Sequence, residues 1–561
     1  MAGKAKPRFY VAVIVVIFGL IGFAFYRYTH MLPPPDSSPS TAIDTTNKPT
    51  ETQPNEREGK LAASTEIPNL GPPGTYQLQG DTLDVEISDW PGYAPLIVAN
   101  GGLEPNPDSY FARKYGFKLK ITVSEAEAEA WQAVNSGKTA VTVTTVDVLA
   151  LYADQLKVEV PIQLDFSRGG DGILTRKDIT SINQLKGKTL TVAQFTESDF
   201  FIRFLAQEAG LNVKPLQGLD DPTDPERINL LFTATAFDAA DVFVNTLKSG
   251  NTAISGAVTW APKTTEVPQT YPHQVRLLTS NRNLLIVADI VIVNAGFAKQ
   301  HPRIVKGLVE GILVGEEEMR IDPERTLRVV AKAFDTTPEK IRALLQDVHL
   351  SNHAENLLFF SSEPGQIGSF RDLYYSAVYA YGKEVIKNAT PPEKLVNRTY
   401  LEEIAKDGLF QGQQVTLGPS KNAEKTEILE RDPLLTKQIR FYFEPNSTEL
   451  EVKDATNQQA LKDLMTLLKL TPGSYLLMRG HLDNSKVAEF KQRGEAFFRR
   501  QAVRAVEESK KRADSVKAVL IKQHNADAVR LDTEGRGWDE PLPGTKPDEN
   551  RRVEVLLFTL E

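Results

Sequence analysis

The chain has 561 residues, a quarter of them charged, a net charge of −8 and no cysteine. That length exceeds what one core serves and points to two to four domains. The charge balance leaves no footprint for nucleic acid, and the absence of cysteine excludes disulfides, zinc–thiolate sites and thiol catalysis.

Phe9 to Tyr26 is an apolar run without a charge, preceded by Lys4, Lys6 and Arg8. Its length suits a spanning helix, and the cations place its start in the cytoplasm. A cleaved signal peptide would need small residues after the run, whereas Arg27-Tyr-Thr-His-Met-Leu-Pro follows. The expectation is an uncleaved N-terminal transmembrane helix within residues 1–30, with the rest of the chain outside. Residues 31–75 are rich in Pro, Ser, Thr and Asn and poor in large apolar side chains. They read as a disordered tether, about 40 Å long on average as a coil.

From residue 76 to about 410 strands and helices alternate. Asp84–Ile87 reads as a strand, broken by Trp90-Pro91-Gly92 and followed by a helix around Pro95. Leu119–Val123, Ala140–Val143 and Thr189–Val192 read as strands, with helices at Ala126–Val134 and Phe200–Ala209. Leu284–Val293 is expected to be one long buried strand. Pro302–Ala333 carries helical spacing, and helices continue to about Leu409. This alternation argues for α/β layers. Residues 411–436 are polar and read as a second linker. From 437 onward a smaller unit begins, with the order β-α-β-α-β and alternation in Ile439, Phe441 and Phe443.

The stretch Ser88-Asp-Trp-Pro-Gly-Tyr-Ala-Pro-Leu96 resembles the first loop of periplasmic binding proteins for nitrate, sulfonates, taurine and thiamine precursors. Gly170-Asp-Gly-Ile-Leu-Thr-Arg and Gln194-Phe-Thr-Glu-Ser-Asp-Phe-Phe are similar to later segments of that family. Ala257-Val-Thr-Trp-Ala-Pro262 resembles its Val-Trp-Glu-Pro turn, with Ala261 in place of Glu. The resemblance implies a two-lobe α/β periplasmic binding fold over 76–410, with crossings near Gly172–Lys177 and Leu285–Ile290 and a ligand between the lobes. Loop position then nominates Trp90, Tyr93, Thr144, Thr145, Asp171, Thr196, Ser198, Trp260 and Asp289 as ligand-binding. The family mostly binds small anions. Asp171, Asp199 and Asp289 with two tryptophans would equally suit a cationic or zwitterionic ligand.

Arg479-Gly-His-Leu-Asp483, Ser509-Lys-Lys-Arg-Ala513, Gly535-Arg-Gly-Trp-Asp-Glu-Pro541 and Asn550-Arg-Arg-Val-Glu-Val555 resemble the OmpA-like peptidoglycan-binding domains. The resemblance implies a small α+β OmpA-like domain over 437–561. In it Asp483 would accept from the ammonium of diaminopimelate and Arg512 would grip its carboxylate. These two residues stand 29 apart in the sequence, more than the family's spacing. One unbroken helix across the interval would separate them by roughly 40 Å, so the site needs a fold-back, for which Gly494 is the candidate.

No motif for catalysis, metal or cofactor is present, and a non-enzymatic function is expected. The sequence as a whole reads as a single-pass inner-membrane protein of a bacterium with its bulk in the periplasm. It would be a solute receptor docked on peptidoglycan that serves an inner-membrane permease. The alternative is an envelope scaffold or sensor acting on another membrane partner.

Overall fold

Strands with both faces buried, such as Val141–Thr145 and Ile228–Thr233, mark sheets covered by helices on each side. The computed structural model describes residues 59–124, 127–361, 368–418, 431–443, 447–542, 544 and 550–559. The expected membrane span lies outside them, and no described helix is long and apolar enough to cross a membrane.

Two six-stranded sheets build the two lobes. The first has the order Val348–Leu350, Val158–Ser167, Ala288–Asn294, Val141–Thr145, Thr82–Ile87 and Lys118–Val123. Its last three strands run parallel, and Ala288–Asn294 lies antiparallel between its neighbours. The second has the order Val275–Ser280, Asp171–Arg176, Gly256–Trp260, Thr189–Ala193, Ile228–Thr233 and Val213–Leu216. Residues 168–170 and 281–287 join the strands of one sheet to those of the other.

The crossings are therefore displaced from expectation. Gly172 to Arg176 is strand within the second sheet, and the strand expected from Leu284 begins only at Ala288. Leu284, Leu285 and Ile286 are fully buried without being strand. An apolar run reports burial and cannot by itself distinguish strand from buried coil. Pro302–Ala333 is two helices, Pro302–Ile321 and Pro323–Ala333, because Asp322 leaves helical geometry and caps the second through the Arg325 N–H. The strand Val348–Leu350, at the edge of the first sheet, lies in a region read as helical.

A third sheet has the order Leu435–Ile439, Val553–Phe558, Tyr475–Gly480 and Leu531–Gly535. Helices Ala455–Leu470 and Glu495–His524 belong with it. This unit is docked on the lobes. The Leu285 N–H, in the second crossing, donates to the Leu470 carbonyl at 2.6 Å, and the Ile182 N–H donates to the Leu434 carbonyl at 2.8 Å. Asn183 receives the Thr436 N–H at 2.7 Å and donates to the Thr436 carbonyl at 2.9 Å. Lys437 pairs with Glu208 at 2.9 Å.

Both segments read as linkers are in part bound. In the first, residues 59–75 lie along both lobes. Lys60 and Ala62 exchange backbone bonds with Ala234 and Phe232 of the second lobe, and the Thr65 N–H donates to Gln194. The Leu70 N–H then reaches Gln155 and the Gly74 N–H reaches the Asn135 carbonyl in the first lobe. In the second, Glu355 is buried and accepts from the Thr416 N–H, the Thr416 hydroxyl and the Leu417 N–H. Backbone donors that find partners on a folded surface hold polar segments that could not form a core alone.

Candidate functional site

The carboxyl ends of the parallel strands in both lobes face one cleft, as open α/β sheets arrange their ligand loops. From the first lobe comes the turn after Thr82–Ile87. Trp90 donates its indole N–H to Asp165 Oδ1 at 3.2 Å, and Tyr93 donates its hydroxyl to Asp289 Oδ1 at 2.7 Å. Asp165 and Asp289 are register partners on adjacent antiparallel strands. A Cβ on Gly92 would lie 2.0 Å from Asp165 Oδ2, so only glycine lets the loop settle on that carboxyl. Thr144 and Thr145 end the next strand, and Asp147 opens the helix Val146–Tyr152. The Thr144 hydroxyl is buried without a hydrogen-bond partner, and the buried Asp147 carboxyl is met by the Thr145 hydroxyl and its own backbone N–H.

The second lobe supplies Asp171, Glu197, Ser198 and Trp260. Asp171 Oδ2 accepts from the Ser167 hydroxyl at 2.7 Å and from Asn281 at 2.8 Å. Asn281 also takes the Gly169 and Asp171 N–H groups on its Oδ1. It thereby ties the start of the second crossing to the first. Trp260 stacks on Phe237, with centroids 5.2 Å apart and planes at 8°, and stands 6.3 Å from Trp90 of the other lobe. The Ala261 N–H donates to the Gly170 carbonyl at 2.8 Å, fixing this turn to the crossing.

Burial sets the electrostatics. Asp165 is pushed up to about 7 by desolvation, against the bonds from Trp90 and Asp289. Asp171 is pushed up to about 7 by desolvation and then by Glu197, against Ser167 and Asn281. Asp147 and Asp289 stand well above the carboxylate range, first from burial and then from Glu197 and Asp165 respectively. Glu197 is raised by burial as well. Nearby Arg203 is already committed to Asp199, at 2.6 Å.

In the C-terminal unit the chain turns back at Gly494. Helix Val487–Gln492 ends, Gly494 takes φ +101°, and the helix Glu495–His524 begins. Phe490 packs on Phe497 and Trp538, and Phe498 on Trp538. The insert is thus sealed against the loop after Leu531–Gly535. Ser509 accepts the Gly537 N–H at 2.9 Å. Asp483 accepts from Ser485 and from Arg551 Nε at 2.8 Å, and these bonds outweigh its burial and lower its pKa. The charges of Arg551 and Asp483 both bear on Arg512, whose guanidinium lies 5.1 Å from the centre of the Phe443 ring. Its Nε is buried without a hydrogen-bond partner.

Two family models match the chain: "NMT1/THI5 like" over residues 93–326 and "OmpA family" over residues 442–554. The chain joins an NMT1/THI5-like region to an OmpA-family domain. Outer membrane protein Omp38 of Acinetobacter baumannii is 28% identical over 140 residues, 25% of this chain and 34% of that protein. The chain thus spans about a third of the length of the curated relatives it matches. Among solved structures, the periplasmic aliphatic sulphonate binding protein SsuA from Escherichia coli aligns at 13% identity and TM-score 0.42, covering 58% of this chain and all of that one. The alkanesulfonate-binding protein SsuA from Xanthomonas axonopodis pv. citri, bound to MOPS, aligns at 12% and 0.41, covering 57% of this chain and 99% of that one.

Of the residues nominated from sequence in the two lobes, Trp90, Thr144, Thr145, Asp171, Ser198 and Trp260 lie at turns and element ends, and Trp90 and Trp260 meet across the lobes. Tyr93 and Asp289 are buried and bonded to each other beneath the first loop. Thr196, rather than Ser198, is the N-cap of the helix Glu197–Glu208, and its hydroxyl donates to the Ala193 carbonyl. Sequence reading did not single out Asp147, Asp165, Glu197, Phe237 or Asn281. Asp165 carried no signal of its own, since it falls on the polar phase of the alternation Val158-Glu-Val-Pro-Ile-Gln-Leu-Asp-Phe166. Asn281 carried none, because its role depends on two crossings meeting. In the OmpA-family domain, Asp483 and Arg512 fall in one polar cluster with Arg551.

Proposed function

We propose that the chain is an envelope receptor for a small polar solute, held at the inner membrane by its N-terminal segment and docked on peptidoglycan by its OmpA-family domain. The observation that carries the solute reading is the two-lobed cleft, where Trp90 and Trp260 face each other beside buried polar atoms that have no partner. Trp90, Thr144, Thr145, Asp147, Asp171, Ser198 and Trp260 bind the solute, while Tyr93, Thr196 and Asp289 shape the loops that hold it. Lobe closure over the solute then presents the lobes to an ABC-type permease. The domain limits are 76–410 for the lobes and 437–561 for the wall-binding domain. The chemistry is binding, with no catalytic step.

In the wall domain, Arg512 presents a guanidinium to a carboxylate and Asp483 an acceptor to an ammonium. Both belong to the diaminopimelate side chain of the wall peptide. Two experiments test this function. Mass spectrometry of the native full chain should detect a small molecule that Trp90→Ala fails to retain. Pull-down with purified sacculi should lose Asp483→Ala and Arg512→Ala relative to wild type. Equal retention of all three proteins would remove the wall site.

A second reading is favoured by one contact. The wall domain bonds the second crossing directly, Leu285 N–H to Leu470 carbonyl. A sensor whose cleft state alters its grip on the wall, or its contact with another membrane partner, would use that contact. Sacculus affinity that changes on adding the retained solute supports the sensor; unchanged affinity supports transport.

A further inference from the structure

The charge of the solute follows from what the cleft does and does not contain. Four carboxyl groups converge on it from four chain segments: Asp147 and Asp165 from the first lobe, Asp171 and Glu197 from the second, with Asp289 beneath them and bonded to Tyr93. The charges that bear on them are chiefly each other's: Glu197 and Asp171 act on Asp147, Glu197 acts on Asp171, and Asp165, Asp171 and Glu197 act on Asp289. Arg203 is paired with Asp199, and Arg282 with Asp347 at 2.8 Å, while Arg168 donates its Nε to the Arg282 carbonyl, keeps a buried Nη2 without a partner and is not among the charges that bear on these acids.

Two further features point to a ligand independently of the acids. The Thr144 hydroxyl is buried at the end of its strand and has no partner, and the neighbouring Thr145 hydroxyl reaches only Asp147. Trp90 and Trp260 present rings from opposite lobes, 6.3 Å apart, and Phe237 backs the second ring. Aromatic faces beside carboxylates are the chemistry that recognises organic cations. A bare metal ion is a poorer occupant, because no three of the cleft carboxyls bring oxygens within 4.8 Å of one another.

We propose that the cleft takes an organic ammonium, held against the rings of Trp90 and Trp260, which part to admit it, and facing Asp147, Asp171 and Glu197. This rests on the solute-receptor reading above. In the empty cleft burial raises the proton affinity of these carboxyls. A cation restores the reason for them to ionise, so its entry releases protons.

The test uses the full chain and two probes of matched size, benzyltrimethylammonium and benzenesulfonate. Calorimetry and tryptophan fluorescence read binding. The expected result is saturable binding of the ammonium with a change in tryptophan emission, none for the sulfonate, and at least tenfold weaker ammonium binding in Asp147→Asn. Trp260→Phe, which keeps an aromatic wall, should weaken it less than Trp260→Ala; melting curves identify any variant that fails to fold. Saturable sulfonate binding without ammonium binding overturns the cationic solute and leaves the receptor standing. If neither probe binds, the molecule released from the native chain on denaturation decides: a cation supports the inference, an anion overturns it, and no released molecule overturns both the cation and the receptor.

Discussion

Asn183→Ala probes how firmly the wall domain is joined to the lobes. The Asn183 side chain acts as a short piece of strand, receiving the Thr436 N–H at 2.7 Å and donating to the Thr436 carbonyl at 2.9 Å. Thr436 lies in the edge strand Leu435–Ile439, whose other side is paired with Val553–Phe558. Truncation removes both bonds and leaves a half-buried backbone N–H and C=O without partners. At about 0.5–1.5 kcal/mol per net bond, the loss is about 1–3 kcal/mol. That energy belongs to the interface and should appear as easier separation of the two parts. Hydrogen exchange at the Ile182 and Leu285 amides reads it directly, since each donates across the interface to Leu434 or Leu470. Their exchange should quicken by roughly 5- to 150-fold, the same energy at 1.4 kcal/mol per decade. Amides inside the Thr189–Ala193 and Val141–Thr145 strands should not change. Unchanged exchange at both Ile182 and Leu285 would refute the reasoning and leave the wall domain tethered rather than docked.

Three further outcomes follow from the same geometry. Gly92→Ala places a methyl group 2.0 Å from Asp165 Oδ2; it should cost about 1–3 kcal/mol by overpacking, read as a lowered urea midpoint with altered tryptophan emission from Trp90. Asp165 and Asp171 bind their protons more tightly folded than unfolded, both raised from 3.8 to about 7, so stability of the empty protein falls as pH rises from about 4 to 7. Each contributes ~4 kcal/mol across that window, and the double variant Asp165→Asn/Asp171→Asn should flatten the pH dependence of the urea midpoint; an equal slope in both proteins would contradict the assignment. Gly494→Ala meets no neighbouring atom within 4 Å but keeps φ at +101°; it should cost the wall domain about 1–2 kcal/mol and weaken sacculus binding, while a full-strength pull-down with an unchanged melting temperature would show that the turn is not needed.

The legible parts of this chain are those written in local pattern. The strands Thr82–Ile87 and Lys118–Val123 show alternation, and short motifs in the right order marked the two lobes and the wall domain before any contact was known. Gly494 was visible as the one residue able to reverse the insert, since a left-handed backbone at a helix junction calls for glycine. What local pattern cannot carry is partnership across distance. Leu284–Val287 looked like strand because buried coil and buried strand share the same apolar composition. Only the meeting with Leu470 shows why that segment is buried yet unpaired as strand. Residues 59–75 and 411–418 looked like free linker because they lack core residues, yet their backbone donors are taken by side chains from far away in sequence, Gln194, Gln155 and Glu355.

The cleft shows the same divide more sharply. Trp90 and Trp260 were legible because each sits in a recognisable turn. Asp147 and Glu197 were not, since an acid in the first turn of a helix ordinarily complements the helix dipole and needs no other explanation. Beyond burial itself, the charge of Glu197 in the second lobe raises Asp147 in the first, an effect that exists only once the lobes face each other. Acids gathered by two lobes are a property of the assembled site, so no local pattern announces them, and the charge of any molecule the native chain releases is the first thing to measure.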